Sequence, residues 1–181
     1  PATQVSPTAQ AILMELAASM ERILEGFEAV PRDAKLDRLR QLLDETAREQ
    51  QAVHVCVWTG FVSTSQYLTA VLEGRGSPVF RLTASMGLDA RAESVARFRD
   101  EGGILLTSGP AVENLSLPFV DICIHYDLPV DPRTLEQRHG AFLRYGRNKP
   151  FQSIVLRDAA GSLAWEEAFF RSYFTHPNIH T

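Results

Sequence analysis

Thr134-Leu-Glu-Gln-Arg-His-Gly-Ala-Phe-Leu-Arg-Tyr-Gly-Arg147 follows an apolar run, Val120-Asp-Ile-Cys-Ile-His-Tyr126, across a breaker segment, Asp127-Leu-Pro-Val-Asp-Pro132. A short apolar run bounded by turn residues reads as a buried strand, and Asp131 with Pro132 reads as a helix start. Between Arg133 and Lys149 the bases are Arg133, Arg138, Arg144, Arg147 and Lys149, against the single acid Glu136. The chain as a whole is acidic, at net charge −4 over 181 residues, so this reversal of sign needs a reason. Guanidinium groups just past the carboxyl end of a buried strand suit a phosphate or another anion. Solvated charge on a surface helix is the competing reading.

Strand and helix alternate along the rest of the chain. Ala52 to Trp58 is apolar and β-branched, a strand buried on both faces, and Thr59-Gly60-Phe61-Val62 turns out of it. Ser63 or Thr64 caps a helix through Leu72, ended by Gly74 and Gly76. Pro78 to Thr83 is a strand, and Asp89 caps a helix that Gly102-Gly103 stops. Ile104 to Thr107, Val120 to Tyr126 and Phe151 to Leu156 complete the strands. Units of roughly 25 to 30 residues indicate βαβ connections, a mainly parallel sheet and right-handed crossovers. Ligands of such sheets gather at the carboxyl ends of strands. Here those ends carry Thr59, Thr83, Ser85, Thr107, Ser108, Gly109 and Asp127, small polar groups with few carboxylates.

Two helices precede the first strand. Ser6-Pro7-Thr8 opens one, with Ile12, Leu16, Met20, Ile23, Leu24 and Phe27 at helical spacing. Its apolar stripe must cover this domain or a neighbour. Asp33 caps the second, Ala34 to Glu49, with Leu36, Leu39, Leu42 and Leu43 inward. We therefore expect a helical arm over residues 1–30 and one α/β domain over 31–181. An aromatic helix, Leu163 to Phe174 capped by Ser162, should pack on the sheet at the end.

Hydrophobic residues make up 45% of the chain, ample for a core. No run approaches the roughly 18 apolar residues of a membrane span, and the first residues lack a signal-peptide pattern. A start at Pro1-Ala2-Thr3 is compatible with a piece of a larger parent. Cys56 and Cys123 sit inside apolar runs, as buried thiols of a reducing, intracellular compartment, cytoplasmic or nuclear. The acidity argues against a free-standing nucleic-acid binder with a broad basic face.

No G-x-x-x-x-G-K-[ST] phosphate loop, G-x-G-x-x-G dinucleotide fingerprint or G-x-S-x-G elbow is present. His54 with Cys56, and Cys123 with His125, each share a strand face, because side chains alternate. On adjacent strands the four would resemble a zinc tetrad. Core packing is the preferred reading, since metal ligands usually sit on loops or strand ends, and no metal site is assigned.

Val57-Trp-Thr-Gly-Phe-Val-Ser-Thr-Ser-Gln-Tyr-Leu68, Leu82 to Phe98 with Leu88-Asp-Ala-Arg91, Ile104 to Leu117, and Tyr126-Asp-Leu-Pro-Val-Asp-Pro with Leu135-Glu-Gln-Arg-His-Gly140 occur in one order. Together they resemble the second RecA-like lobe of superfamily 2 helicases and translocases, nearest the Swi/Snf-like branch, over roughly residues 33 to 158. The resemblance implies a three-layer RecA-like domain with a mainly parallel sheet. It also implies ATP with Mg2+, bound only together with a separate N-terminal lobe of the same parent or complex. This lobe alone would not be catalytic. In the family, second-lobe arginines reach the terminal phosphates, worth ~10³ to 10⁵ in rate.

Carried over by position, Arg138 and Arg144 match the first and last arginines of the Q-R-x-G-R-x-x-R motif, with Arg144 the better finger candidate. Gln137 and Gly140 match the same motif; Gly109, Glu113 and Asn114 fall on the preceding T/S-D…E-G-x-N-L stretch, with Asn114 in place of its glycine, and the resemblance puts all five on the nucleotide side. Thr59, Thr83, Ser85, Thr107 and Ser108 match nucleic-acid contact positions, with turn or capping roles as the plain alternative. The expected polymer is DNA rather than RNA, held weakly by this lobe alone, with a protein partner on the N-terminal helix. Ala141 replaces the middle arginine of the motif and Gly109 replaces an aspartate, which implies a weakened or inactive half-site. Two readings follow: the C-terminal lobe of an ATP-dependent helicase or translocase, or a degenerate helicase-like lobe serving as a scaffold.

Overall fold

Val55, Cys56, Val57 and Trp58 are buried together, as expected of a strand with apolar side chains on both faces. They form the middle of β1 (His54–Thr59) in a computed structural model that describes residues 6–28, 33–49, 54–74, 76–109, 115–129, 131–143, 147, 150–157, 168 and 171. The other strands are β2 (Val79–Leu82), β3 (Gly103–Ser108), β4 (Ile122–His125) and β5 (Gln152–Val155). All pair in parallel, in the order β2-β3-β1-β4-β5.

The helices are α1 (Pro7–Glu28), α2 (Ala34–Glu49), α3 (Val62–Leu72), α4 (Leu88–Glu101) and α5 (Pro132–Gly140). The chain moves from β1 to β2 in one direction across the sheet and from β2 to β3 in the other. Right-handed crossovers therefore put α3 and α4 on opposite faces. Alternation sends Cys56, Trp58, Leu105 and Cys123 to one face. There they form an apolar cluster with Phe80, Leu82, Phe98 of α4, and Phe142 just past α5.

Two compact units divide the chain, Pro1–Asp37 and Arg38–Thr181. In the first, the Ser6 hydroxyl accepts from the Ala9 amide at 3.3 Å, the expected cap of α1. Asp33 caps α2 through the Leu36 amide at 2.9 Å. In the second unit Leu39, Leu42 and Leu43 are buried, as the spacing of α2 requires.

Two helix starts differ from the sequence reading. α3 begins at Val62 after Phe61, earlier than Ser63 or Thr64 allows. The reason lies in the turn: the Thr59 hydroxyl accepts from the Phe61 amide at 3.3 Å and sets the exit angle from β1. α4 begins after Gly87 with no side-chain cap, and Asp89 falls inside the first turn, where its charge still favours the helix dipole. α5 starts as read, with Asp131 accepting from the Thr134 amide at 3.0 Å and Pro132 in the first turn. The aromatic helix expected over 163–174 lies outside the described residues, save Ala168 and Arg171, which are helical. No described helix is long and apolar enough to cross a membrane.

Candidate functional site

β1 and β4 are hydrogen-bonded neighbours, so the turns that leave them meet at one edge of the sheet. From β1 the connection runs toward β2; from β4 it runs toward β5. This divergence is the topological switch point, where open α/β sheets leave a crevice.

Asp127, just past β4, spans that crevice. Its Oδ2 accepts from the Thr59 hydroxyl at 2.5 Å and from the Gly60 amide at 3.3 Å. A charged acceptor makes both bonds stronger than their neutral counterparts. The Asp127 carbonyl accepts from Arg138 Nη1 at 3.4 Å. Arg138 is buried, with its guanidinium 4.9 Å from the Trp58 ring centroid. One arginine of α5 is thus directed inward, onto β1, and it anchors the last turn of the helix to the strand edge. Sequence reading placed Arg138 by motif alone; its partners Trp58 and Asp127 were not assigned a role.

The remaining candidates divide by burial. Gln137 is exposed and Gly140 half-buried on the last turns of α5. Thr59 and Thr83 are buried, and the Thr83 hydroxyl lies 3.1 Å from that of the exposed Ser85. Arg91 of α4 donates Nε and Nη2 to the Thr83 carbonyl at 3.3 and 3.2 Å, holding the end of β2. Thr107 and Ser108 are buried, and among the described residues their hydroxyls have no hydrogen-bond partner. Gly109 takes φ +60°, a conformation that glycine adopts freely. Glu113, Asn114 and Arg144 lie outside the described residues. The fold thus brings Thr59, Thr83, Ser85, Thr107, Ser108 and Gly109 to the same edge as the turn into α5.

Ala141 is buried in the apolar cluster beside Phe142, and its carbonyl accepts from the Leu117 amide at 2.8 Å. Where the motif has a phosphate-facing arginine, this chain has a core position. Arg147 is committed elsewhere: Nη1 and Nη2 donate to the carbonyls of Pro118 and Pro150 at 2.6 and 2.7 Å.

Below the crevice, on the α5 side, a polar strip runs from buried His125 through half-buried His139 to exposed Ser153. His125 Nε2 sits 3.3 Å from His139 Nε2, which sits 2.8 Å from the Ser153 hydroxyl. Burial, then the charges of His139 and Arg138, lowers the His125 pKa to about 3. Burial and Arg138 lower that of His139 to about 4. Both rings are neutral at pH 7. Cys56 and Cys123 face each other in register, whereas His54 pairs with Asp121 and His125 sits beside Trp58. Hence the two histidines stand at opposite ends of the strand pair, and among the described residues no three potential ligands are grouped for a metal.

A family model described as "Helicase conserved C-terminal domain" matches residues 34–148. Among curated proteins the chain is 31% identical over 153 residues to the ATP-dependent RNA helicase DBP8 of Vanderwaltozyma polyspora, covering 83% of this chain and 35% of that protein. It is 28% identical over 128 residues to the ATP-dependent rRNA helicase rrp3 of Aspergillus terreus, covering 70% and 28%. The chain therefore spans about a third of the length of these relatives. Among solved structures, domain 2 of the DEAD-box helicase Mss116p bound to an RNA duplex superposes with a TM-score of 0.62 at 19% identity, over 81% of this chain and 55% of that one. The C-terminal part of the Fun30 ATPase domain superposes with a TM-score of 0.63 at 20% identity, over 82% and 50%. The fold is thus RecA-like, a parallel sheet flanked by helices with an added N-terminal helix.

Proposed function

The chain belongs to the helicase conserved C-terminal domain family, and on that premise we propose that it is the second lobe of a nucleic-acid-dependent ATPase, inactive by itself. The observation that carries this reading is the shared edge: Asp127 and Arg138 tie the turn into α5 to the carboxyl end of β1, beside the ends of β3 and β2 in the parallel sheet. ATP with Mg2+ would be held between this lobe and a P-loop lobe, supplying the phosphoryl group to be transferred to water. From this side Gln137, Gly140 and Arg144 would face it, with Gly109, Glu113 and Asn114 on the adjoining loop. Arg144 would neutralise charge on the terminal phosphate, and Arg138 would hold α5, which precedes it in the chain, against β1.

The exposed part of the same edge, Ala84, Ser85 and Gly87, offers backbone N–H groups to a polymer backbone. The resemblance of the motifs to the Swi/Snf-like branch favours DNA, whereas DBP8 and rrp3 are named as RNA helicases. This proposal takes RNA. The test is ATP hydrolysis by the complete parent protein with RNA and with DNA. RNA-stimulated turnover that Arg144→Ala abolishes, with RNA affinity unchanged, is the expected result. Stimulation by DNA alone would overturn the choice of polymer.

Two observations favour a scaffold role as the second reading: Ala141 is a core residue, and Arg138 points inward. A parent that binds RNA yet shows no hydrolysis with any polymer would establish it over the first.

A further inference from the structure

The 22-residue helix α1 carries Ile12, Leu13, Leu16, Met20, Ile23 and Leu24 with each side chain between 54% and 61% exposed. At 100° per residue these six fall in one arc of about 120°, continued by Ala17. Met14 lies outside it. Single exposed aliphatics are ordinary, but a contiguous apolar arc of this size marks an interaction surface.

The arrangement of the arc says what covers it. Leu13, Leu16, Met20 and Ile23 follow the 3-4-3 spacing of a coiled-coil seam. The six residues are also symmetric in sequence: Ile12 and Leu24, Leu13 and Ile23, Leu16 and Met20 are each equidistant from Ala18. A two-fold axis at the level of Ala18 therefore lays the stripe of one antiparallel helix onto the stripe of another. Leu13 then opposes Ile23 of the second copy, and Leu16 opposes Met20. The flanking positions not filled by Ile12 and Leu24 are Ala17, Ser19 and Gly26, small and uncharged, so nothing repels an approaching copy. Ser19 is held back on its own helix, donating to the Glu15 carbonyl at 2.8 Å and accepting from Arg22 at 3.0 Å.

We propose that α1 is a self-association helix, and that two copies of this chain join through an antiparallel α1 pair. The two stripes together offer on the order of 800 Å2 of apolar surface. Interfaces of that size associate reversibly, whereas obligate dimers bury upward of ~2,000 Å2. The pair forms and dissociates with concentration.

Sedimentation of the full chain over ~1 to ~300 µM tests this. The weight-average mass should climb from monomer toward twice that value. Leu16→Glu with Met20→Glu should weaken association at least ~10-fold while the thermal transition of the α/β unit stays in place. A second measurement holds even if that variant folds badly. Leu16→Cys and Met20→Cys chains, mixed and oxidised, should cross-link to each other and each only poorly to itself; the native Cys56 and Cys123 are buried and do not compete. A monomer at every concentration, or self-cross-linking of Leu16→Cys alone, overturns the proposal.

Discussion

The Arg138 guanidinium lies over the indole of Trp58, 4.9 Å from the ring centroid, and donates to the Asp127 carbonyl. A cation inside the domain is stable only when an electron-rich face and an acceptor replace its water. These two residues tie α5 to β1 across 80 positions of sequence, and they make Arg138 part of the core.

Arg138→Ala should therefore lower stability, by about 1–3 kcal/mol, through lost stacking and lost packing of the aliphatic stem. Thermal unfolding of the isolated chain reads it. An arginine that served only a phosphate of a separate lobe would leave the transition unmoved.

Asp127→Ala removes the acceptor shared by the Thr59 hydroxyl and the Gly60 amide. The Thr59 hydroxyl is then buried without that acceptor, at a cost of about 1–3 kcal/mol. Hydrogen exchange at Gly60 should quicken more than exchange in α2, where the change has no local partner. Uniform protection at both sites would contradict the latch.

His125 and His139 supply an acid-labile term. Each has a folded pKa, about 3 and about 4, below the unfolded value near 6.5. The unfolded chain therefore binds more protons, and stability falls as pH drops below about 6.5, until the folded-state values are reached. The slope is up to ~1.4 kcal/mol per pH unit for each ring. Denaturant titrations between pH 7 and pH 5 should show it. His139→Gln should flatten that slope, and an unchanged slope would remove His139 from the account.

Ala141→Arg restores the motif arginine in sequence yet should not restore a phosphate contact. The position is buried among Phe142 and its apolar neighbours, and among the described residues of that cluster a guanidinium meets no carboxylate. A loss of several kcal/mol in stability is expected, since a buried unpaired charge is strongly disfavoured. A stable Ala141→Arg protein with faster hydrolysis in the complete parent would show that the backbone can turn this residue outward.

Gly103 opens β3 at φ +105°, and a Cβ placed there would strike the Pro78 carbonyl oxygen, the acceptor of the Ile104 amide. Gly103→Ala should cost about 1–3 kcal/mol from backbone strain alone, before the clash is relieved. Urea unfolding measures it; a cost within error of zero would mean that the β2–β3 junction gives way freely.

The elements were largely legible because their signals are local. Apolar runs of β-branched residues marked β1, β3 and β4, and Asp33 and Asp131 cap the helices they were read to cap. The starts of α3 and α4 were misplaced by two or three residues, and for α3 the reason is one that no local pattern holds. Thr59, itself held by a carboxylate 68 residues away, decides where the chain leaves β1. Asp127 was read at a strand end, but the same distance hid its bond to Thr59, whereas Gln137, Arg138 and Gly140 were assigned by motif.

Taken alone, the sequence determined the periodicity of each segment, the parallel character of the sheet, and the spacing that ties the chain to its family. All three depend on residues within a turn or two of one another, or on the order of segments. Only the tertiary structure decided the strand order β2-β3-β1-β4-β5, the inward direction of Arg138, and the conversion of the Ala141 position into core. Those depend on which strands become neighbours. Strand pairing is settled by burial and hydrogen bonding between residues far apart in the chain, where sequence spacing carries no distance.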